Sequence, residues 1–316
     1  MFHASDRISI LKDRALMLKK ARLFFSRKNI LEVDCPHLSK RATIDTHIDV
    51  MKTHVNEQEI GYLHTSPEYG MKRLLGEGMP DIFQLSHVFR KGEIGRLHNP
   101  EFTLIEWYRK GFPLSKMIQE TISLIRLFFG KTPTQQQTYQ QLFLEKTSLD
   151  PFKASLQALL SHLQENQILL PKDASSFDKD TLLHLILTHL IEPNLGKDHL
   201  FVVTDFPASQ AALAQIEESP NGNVAKRFEV YYQGIELANG YLELSDPKEL
   251  RKRFLFWNEE RKKLNKELFA TDERLLDALS RMPACSGVAV GFDRLLMLRH
   301  RKKHLSEVLP FAWEEA

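Results

Sequence analysis

The sequence predicts an α+β fold in which antiparallel hairpins sit among amphipathic helices. Residues 81–109, DIFQLSHVFRKGEIGRLHNPEFTLIEWYR, place two apolar, β-prone runs on either side of a polar connector. Residues 228–245 repeat the arrangement more tightly, with FEVYY and IELANGYLEL about a Gln-Gly turn. Around both hairpins, apolar residues recur at three- and four-residue steps, the period of helices with one buried stripe. At 316 residues the chain can bury a large core. We read 1–316 as one domain with a helical insertion at about 131–200.

Composition excludes several classes. With 42% hydrophobic and 27% charged residues, the chain is globular rather than disordered. A net charge of +2 gives no overall pull towards nucleic acid, so a polyanion site must be local. The two cysteines, Cys35 and Cys285, fit no metal-ligand spacing and suggest a reducing compartment, although two could pair. The opening MFHASDRISILKDR lacks an apolar core of signal-peptide length, and no stretch approaches a membrane span. A cytoplasmic protein is expected.

Taken in order, Ile8, Leu11, Ala15, Leu18, Ala21 and Phe25 form the stripe of a first helix, which Asn29 stops. ILEVDCP is a short strand closed by Pro36, and THIDVMKTHV a weakly alternating one. In TSPE, Ser66 is expected at the N-cap, Pro67 in the first turn and Glu68 near the helix's positive end. Many helices begin this way. In the 81–109 hairpin, alternation puts Glu106 and Tyr108 on one face with Phe102 and Leu104. A carboxylate on an apolar face is costly unless it meets a cation or a donor. A wet edge strand would satisfy Glu106, but Arg90 ends the preceding strand as Glu106 and Tyr108 return, which marks a candidate site.

Residues 131–200 are less informative. LQALLSHLQENQILL and DTLLHLILTHLI have helical spacing, and His184 and His189, five apart, suit core-edge positions better than ligation. FVVTDFPASQAAL returns to a strand and turn. The second hairpin carries Glu229, Glu236 and Glu243 among apolar neighbours. Glu229 and Glu236, facing each other across it, would suit a hard cation that bridges phosphates; a solvated sheet face is the alternative. Glu236 and Glu243 would point oppositely on a regular strand, so a bulge is expected near Asn239–Gly240. SDPKEL opens a helix with Asp246 and Pro247, and its basic run interleaves with Phe254, Phe256 and Trp257. A solvated face is the favoured reading there, over an RNA- or protein-binding surface. In CSGVAVGFDRLL, Gly287 and Gly291 flank a short strand that lets backbone approach a flat ligand, and Asp293–Arg294 open a helix.

These stretches carry a family resemblance. FRKGEIGRLHNPEFTLIEWY resembles motif 2 of class II aminoacyl-tRNA synthetases in its lysyl form; the first helix, strand and Pro36 resemble motif 1, and CSGVAVGFDR motif 3. The resemblance implies their catalytic fold, a mostly antiparallel sheet flanked by helices, with ATP and Mg2+ as cofactors and a homodimer through motif 1. It gives Arg90 and Arg294 the catalytic, charge-neutralising role. ATP would also be met by Lys91, Gly92, Glu93, His98, Asn99 and Phe102, by Glu236, Leu237 and Asn239, and by Gly291. The metal would lie at Glu229 and Glu236. The amino acid would bind at Ser66, Pro67 and Glu68, which takes its amino group, and at Glu106, Tyr108, Ala289 and Glu243, which takes its ε-ammonium.

Three departures from lysyl-tRNA synthetases narrow the family. Motif 1 begins in the opening residues, so no N-terminal anticodon-binding barrel is expected. The motif 2 acid is displaced by one residue, Arg90-Lys91-Gly92-Glu93, and Ala289 replaces the middle glycine of motif 3. All three resemble the elongation factor P–lysine ligases. That implies ATP-dependent activation of lysine, preferably (R)-β-lysine, and transfer to a lysine side chain of elongation factor P, with neither tRNA nor a membrane as partner. Two alternatives remain: an adenylate-forming enzyme acting on tRNA or a small molecule, and a non-catalytic paralogue that binds translation factors.

Overall fold

A computed structural model of the chain describes residues 4–171, 174 and 177–316. The first three residues of the opening, and Lys172, Asp173, Ser175 and Ser176 of the expected insertion, lie outside them. Helix α1 (Ala4–Ser26) buries a different stripe from the one its apolar spacing predicts. Its inner row is Ile10, Arg14, Met17, Ala21 and Phe25, whereas Ile8 is 54% exposed. Arg14 is the cause: its guanidinium meets Asp293 at 2.5 Å and Thr103 at 2.7 Å. A charge so paired can lie inside, and a count of apolar residues does not register it. Asn29 does close the helix, in the left-handed conformation at φ 55°.

After α1 come β1 (Leu31–Glu32), β2 (Leu38–Ser39), β3 (Met51–His54), β4 (Ile60–Leu63), α2 (Glu68–Gly76), β5 (Ile82–Phe89), β6 (Glu101–Lys110) and α3 (Leu114–Phe129). The strand expected over 46–55 shrinks to β3, because the Asp45 carboxylate accepts the His47 and Ile48 amides at 2.7 and 2.8 Å and turns the chain there. Strands β2, β4 and β3 form a small antiparallel sheet.

The chain divides into two compact units, Met1–Gly130 with Leu244–Ala316, and Lys131–Glu243. The second holds β7 (Thr134–Thr138), α4 (Tyr139–Thr147), α5 (Leu156–Glu165), α6 (Lys179–Ile186), β8 (Leu200–Pro207), β9 (Ile216–Glu217), β10 (Val224–Tyr232) and β11 (Ile235–Leu242). Its strands run β11-β10-β8-β7, with β9 beside β10 and only β7 and β8 parallel. Tyr139, Phe143, Leu182, Ile186, Val203 and Phe206 belong to a core of its own. The expected helical insertion thus opens on a Gln-rich strand, β7, and α4, α5 and α6 are framed by strands.

The first unit resumes with α7 (Pro247–Lys263), α8 (Glu273–Leu279), β12 (Cys285–Gly291) and α9 (Phe292–Arg299). Asp246 caps α7 by accepting the Lys248 and Glu249 amides, with Pro247 in the first turn as expected. The unit's main strands run β1-β5-β6-β12; β1 is parallel to β5 and the others are antiparallel. Helix α3 packs against α1, α9 and β12, and α8 against α2 and α7. The fold is α+β, with mostly antiparallel strands flanked by helices, as the sequence predicts. Cys35 and Cys285 are free thiols, both buried.

Candidate active site

The β5–β6 hairpin forms the floor of the first unit's candidate site. Gln84 and Ala289 lie opposite Glu106 from its two neighbouring strands; Ile82 and Gly287 lie opposite Tyr108. Gly291 lies opposite Leu104. Alternation puts all of these on one face, where Gly287, Ala289 and Gly291 of β12 present little side chain beside Glu106 and Tyr108.

Glu106 is 2% exposed and fully engaged: Tyr108 donates to its Oε1 and Ser66 to its Oε2, both at 2.6 Å. Burial, and then the nearby Glu68, push its pKa up to about 7, against the pull of Ser66, Tyr108 and Lys72. TSPE lies one residue off the expected cap. Pro67 takes the N-cap position of α2, and Ser66 precedes it while its hydroxyl still accepts the Glu68 amide at 3.0 Å. The Ser66 hydroxyl thereby links the start of α2 to Glu106. One turn on, Lys72 is 1% exposed and its Nζ sits 2.6 Å from the Glu68 carboxylate.

At the other end of the hairpin, Arg90 follows β5 with its guanidinium 5.1 Å above the Phe102 ring. Its Nε is buried and has no hydrogen-bond partner among the described residues. Gly92, at φ 79°, absorbs the extra residue before Glu93, and the displaced acid still comes within 3.7 Å of Arg90. Lys91 is held through its amide, which donates to Asp49 O at 2.8 Å. His98 Nε2 stands 4.0 Å from Glu93 and 3.0 Å from an Arg294 N–H. Burial, then Arg294, depress its pKa, so the ring is neutral and accepts from Arg294. Asn99 is occupied structurally, donating to Glu101 O at 2.7 Å and accepting the Trp313 amide at 3.0 Å. Gly291 caps α9; a Cβ there would lie 3.7 Å from Arg294 Cδ, so the glycine keeps that flank of the arginine open.

The acids of the second unit share a hairpin with a two-residue Gln233–Gly234 turn, both at positive φ. Glu229 and Glu236 do not face each other, contrary to expectation: Glu229 pairs with Asn239, and Glu236 with Tyr231. The bulge also lies elsewhere. Pairing jumps from Val230↔Ala238 to Tyr231↔Glu236, leaving Leu237 as the extra residue rather than Asn239 or Gly240. It achieves what was expected of it, since Glu236, Asn239, Tyr241 and Glu243 fall on the face that carries Glu229. Leu237 itself is buried. Arg227 and Tyr231 both hydrogen-bond the Glu229 carboxylate, and Arg227 Nε donates to Asn239 at 3.2 Å. Burial and the negative charge of Glu229 raise the Tyr231 hydroxyl, which stays protonated as a donor. Glu243 is 1% exposed and its carbonyl accepts the Gln215 side chain at 3.0 Å.

A family model described as tRNA synthetases class II (D, K and N) matches residues 2–315. This chain belongs to the class II tRNA synthetases. Within that family it is 41% identical over 315 residues to a protein of Avibacterium paragallinarum named elongation factor P–(R)-β-lysine ligase, covering 98% of this chain and 97% of the relative. A Pasteurella multocida protein of the same name is 41% identical over 318 residues, 99% of this chain and 97% of its own. Another, from Haemophilus influenzae, is 40% identical over 309 residues, covering 96% and 94%.

A class II synthetase uses ATP, and the site's chemistry fits the nucleotide. Arg90 offers an orphaned buried donor to an anionic oxygen, and Gly291 leaves Arg294 approachable. Magnesium is usually held by one or two carboxylates with substrate phosphates and water, and Glu229 and Glu236 on one face suit that. Among the described residues no group of three or more His, Cys, Asp or Glu is placed to hold a metal by itself. Sequence reasoning missed Lys72, Arg227 and Tyr231. Lys72 stands four residues after Glu68, which was a readable signal; Arg227 and Tyr231 stand two residues either side of Glu229 on the same strand face, and that was readable too.

Proposed function

We propose that this chain activates (R)-β-lysine with ATP and transfers the acyl group to a lysine side chain of elongation factor P. The observation that carries the reading is the shared name of relatives 40–41% identical across nearly the whole of both chains. In the first step an oxygen of the substrate carboxylate bonds to the α-phosphorus, and pyrophosphate leaves. In the second, the acceptor lysine's neutral amine attacks the acyl carbon, loses a proton, and AMP departs. Neither step needs a covalent enzyme nucleophile, so the protein's contribution is positioning and charge neutralisation.

Arg90 and Arg294 are assigned to the phosphates. Lys91, Gly92, Glu93, His98 and Phe102 surround the nucleotide; Asn99 holds the connector. Gly291 and the hairpin residues Glu236, Leu237 and Asn239 are assigned to the nucleotide too. Glu229 and Glu236 would hold Mg2+, which when bound offsets phosphate charge. Ser66, Pro67, Glu68, Glu106, Tyr108, Ala289 and Glu243 are assigned to the amino acid: Glu68 and the Ala289 region read the amino group's position, and Glu243 with Tyr108 the ε-ammonium. A domain spanning 1–316, acting as a homodimer, with elongation factor P rather than tRNA as acceptor, completes the reading.

ATP–pyrophosphate exchange with (R)-β-lysine, α-lysine or no amino acid tests the first step. Exchange strongest with (R)-β-lysine, followed by label in elongation factor P and none in tRNA, is the expected result. Label in tRNA would replace the acceptor, and silence with every lysine isomer would favour a non-catalytic paralogue.

A further inference from the structure

Lys72 is a buried ammonium that the activation chemistry does not call for. Burying a lysine at 1% exposure is costly, and it is tolerated here because its Nζ rests 2.6 Å from the Glu68 carboxylate. The Ser66 hydroxyl links that pair to Glu106, accepting from the Glu68 amide and donating to the Glu106 carboxylate. Two carboxylates and one fixed cation therefore lie close together, with Ala289 opposite Glu106 on the neighbouring strand.

We propose that Lys72 is a positioning residue for amino-acid recognition: its ammonium, fixed on Glu68, offsets negative charge beside Glu106 and keeps the two carboxyl groups in place for the substrate's amino group. The proposal rests on the amino-acid site assigned above and adds a residue to it. Two neighbouring acids without a counter-ion share a proton instead of both ionising. A protonated Glu106 offers an ammonium ion one hydrogen-bonding lone pair less and no charge. The groups facing Glu106 are Glu68 and Lys72 of α2, Ser66 before it, Tyr108 of its own strand, and the Cys35 thiol, itself pushed up to about 11 by burial and by Glu106. Among them Lys72 is the one resident cation.

The test is an infrared titration of the protonated-carboxyl band, assigned with Glu106→Gln, alongside exchange kinetics. Lys72→Met should move the Glu106 titration up by about one pH unit and raise KM for the amino acid about fivefold near neutrality. KM for ATP should stay within about twofold. Lys72→Arg should restore both readings, since it keeps the charge. A titration and an amino-acid KM unmoved by Lys72→Met would overturn the proposal, as would failure of Lys72→Arg to restore them.

If the single variant does not fold, Glu68→Gln/Lys72→Met removes both charges. Glu68 raises Glu106 more than Lys72 lowers it, so the titration should then fall below that of the wild type; a titration unchanged from the wild type would reject the electrostatic link. Wild-type protein silent in exchange would sink the functional reading alone, because the infrared titration judges Lys72 without it.

Discussion

Ala289 places a single methyl group opposite Glu106, on the face where the proposed substrate's amino group is read. Moving that amino group from the α to the β carbon changes its distance from the carboxylate by about one bond, the scale on which one methyl group discriminates. Ala289→Gly should therefore shift the ratio of kcat/KM for α-lysine over (R)-β-lysine upwards by about tenfold, the lower end of what one methylene in a pocket achieves. An unchanged ratio would remove Ala289 from the specificity determinants. Glu106 supports a second expectation at this scale. Its pKa is raised from 4.5 to about 7, so the folded state holds the proton more tightly than the unfolded chain. The resulting stability is fully present below about pH 4.5 and is lost as pH rises through about 7. By linkage the loss is on the order of 3 kcal/mol. Thermal melts across that window should show Tm falling with pH in the wild type, and a flatter profile for Glu106→Gln; parallel profiles would contradict the assignment.

Among the elements, α2 and α9 are held by contacts that leave little slack. A Cβ on Gly76 would stand 2.4 Å from the Ala278 carbonyl oxygen of α8, and backbone cannot rotate away as a side chain would. Gly76→Ala should cost about 1–3 kcal/mol in denaturant unfolding through forced separation of α2 from α8. A neutral result would show that α8 yields freely. Asp293, 2% exposed, receives Arg14 from α1 and the Thr103 amide from β6 at 2.6 Å. Arg14→Met strands that carboxylate and should cost about 3–5 kcal/mol. Because Arg294 is the next residue, KM for ATP should rise as well; unfolding at wild-type denaturant concentrations would mean that Asp293 finds another partner. These contacts also explain what the sequence could not reveal. The two hairpins and the α7 cap were legible because period-two alternation and Asp-Pro are local signals. The α1 stripe was misread because Arg14 is buried by a partner 279 positions away. The need for a bulge was legible from the Glu236–Glu243 spacing, but its place at Leu237 depends on cross-strand register, which no single strand encodes. Arg90, Glu106 and Tyr108 were legible as members of one hairpin, but not their separation along it: Arg90 lies opposite Pro100, at the far end from Gln84 and Ile82, which face Glu106 and Tyr108. Lys72 was missed because a lysine one turn into an exposed-looking helix is ordinarily a solvated residue.

At the scale of the whole molecule, each unit has its own core, and what α1 leaves outside becomes informative. Its inner row is committed to Asp293, Phe83 and Trp107, the last two through ring contacts of Phe25 at 4.3 and 5.2 Å. Ile8, Leu16 and Leu23 then face outwards at 54%, 46% and 43% exposure, and Leu31 of the edge strand β1 joins them at 47%. Isolated apolar side chains on a surface need no explanation, but several on one helix, running to a strand that ends the sheet among the described residues, form a patch that association would cover. A two-fold interface suits it, since the same patch on a second copy is self-complementary in chemistry. The proposed homodimer should thus sediment at about twice 36.7 kDa at micromolar concentration. Leu16→Asp/Leu23→Asp, which buries no charge within the chain because both positions are exposed, should return it to the single-chain mass while leaving Tm above the working temperature. A wild-type protein that sediments as one chain would assign the patch to another partner. A double variant that remains a dimer would move the interface off α1.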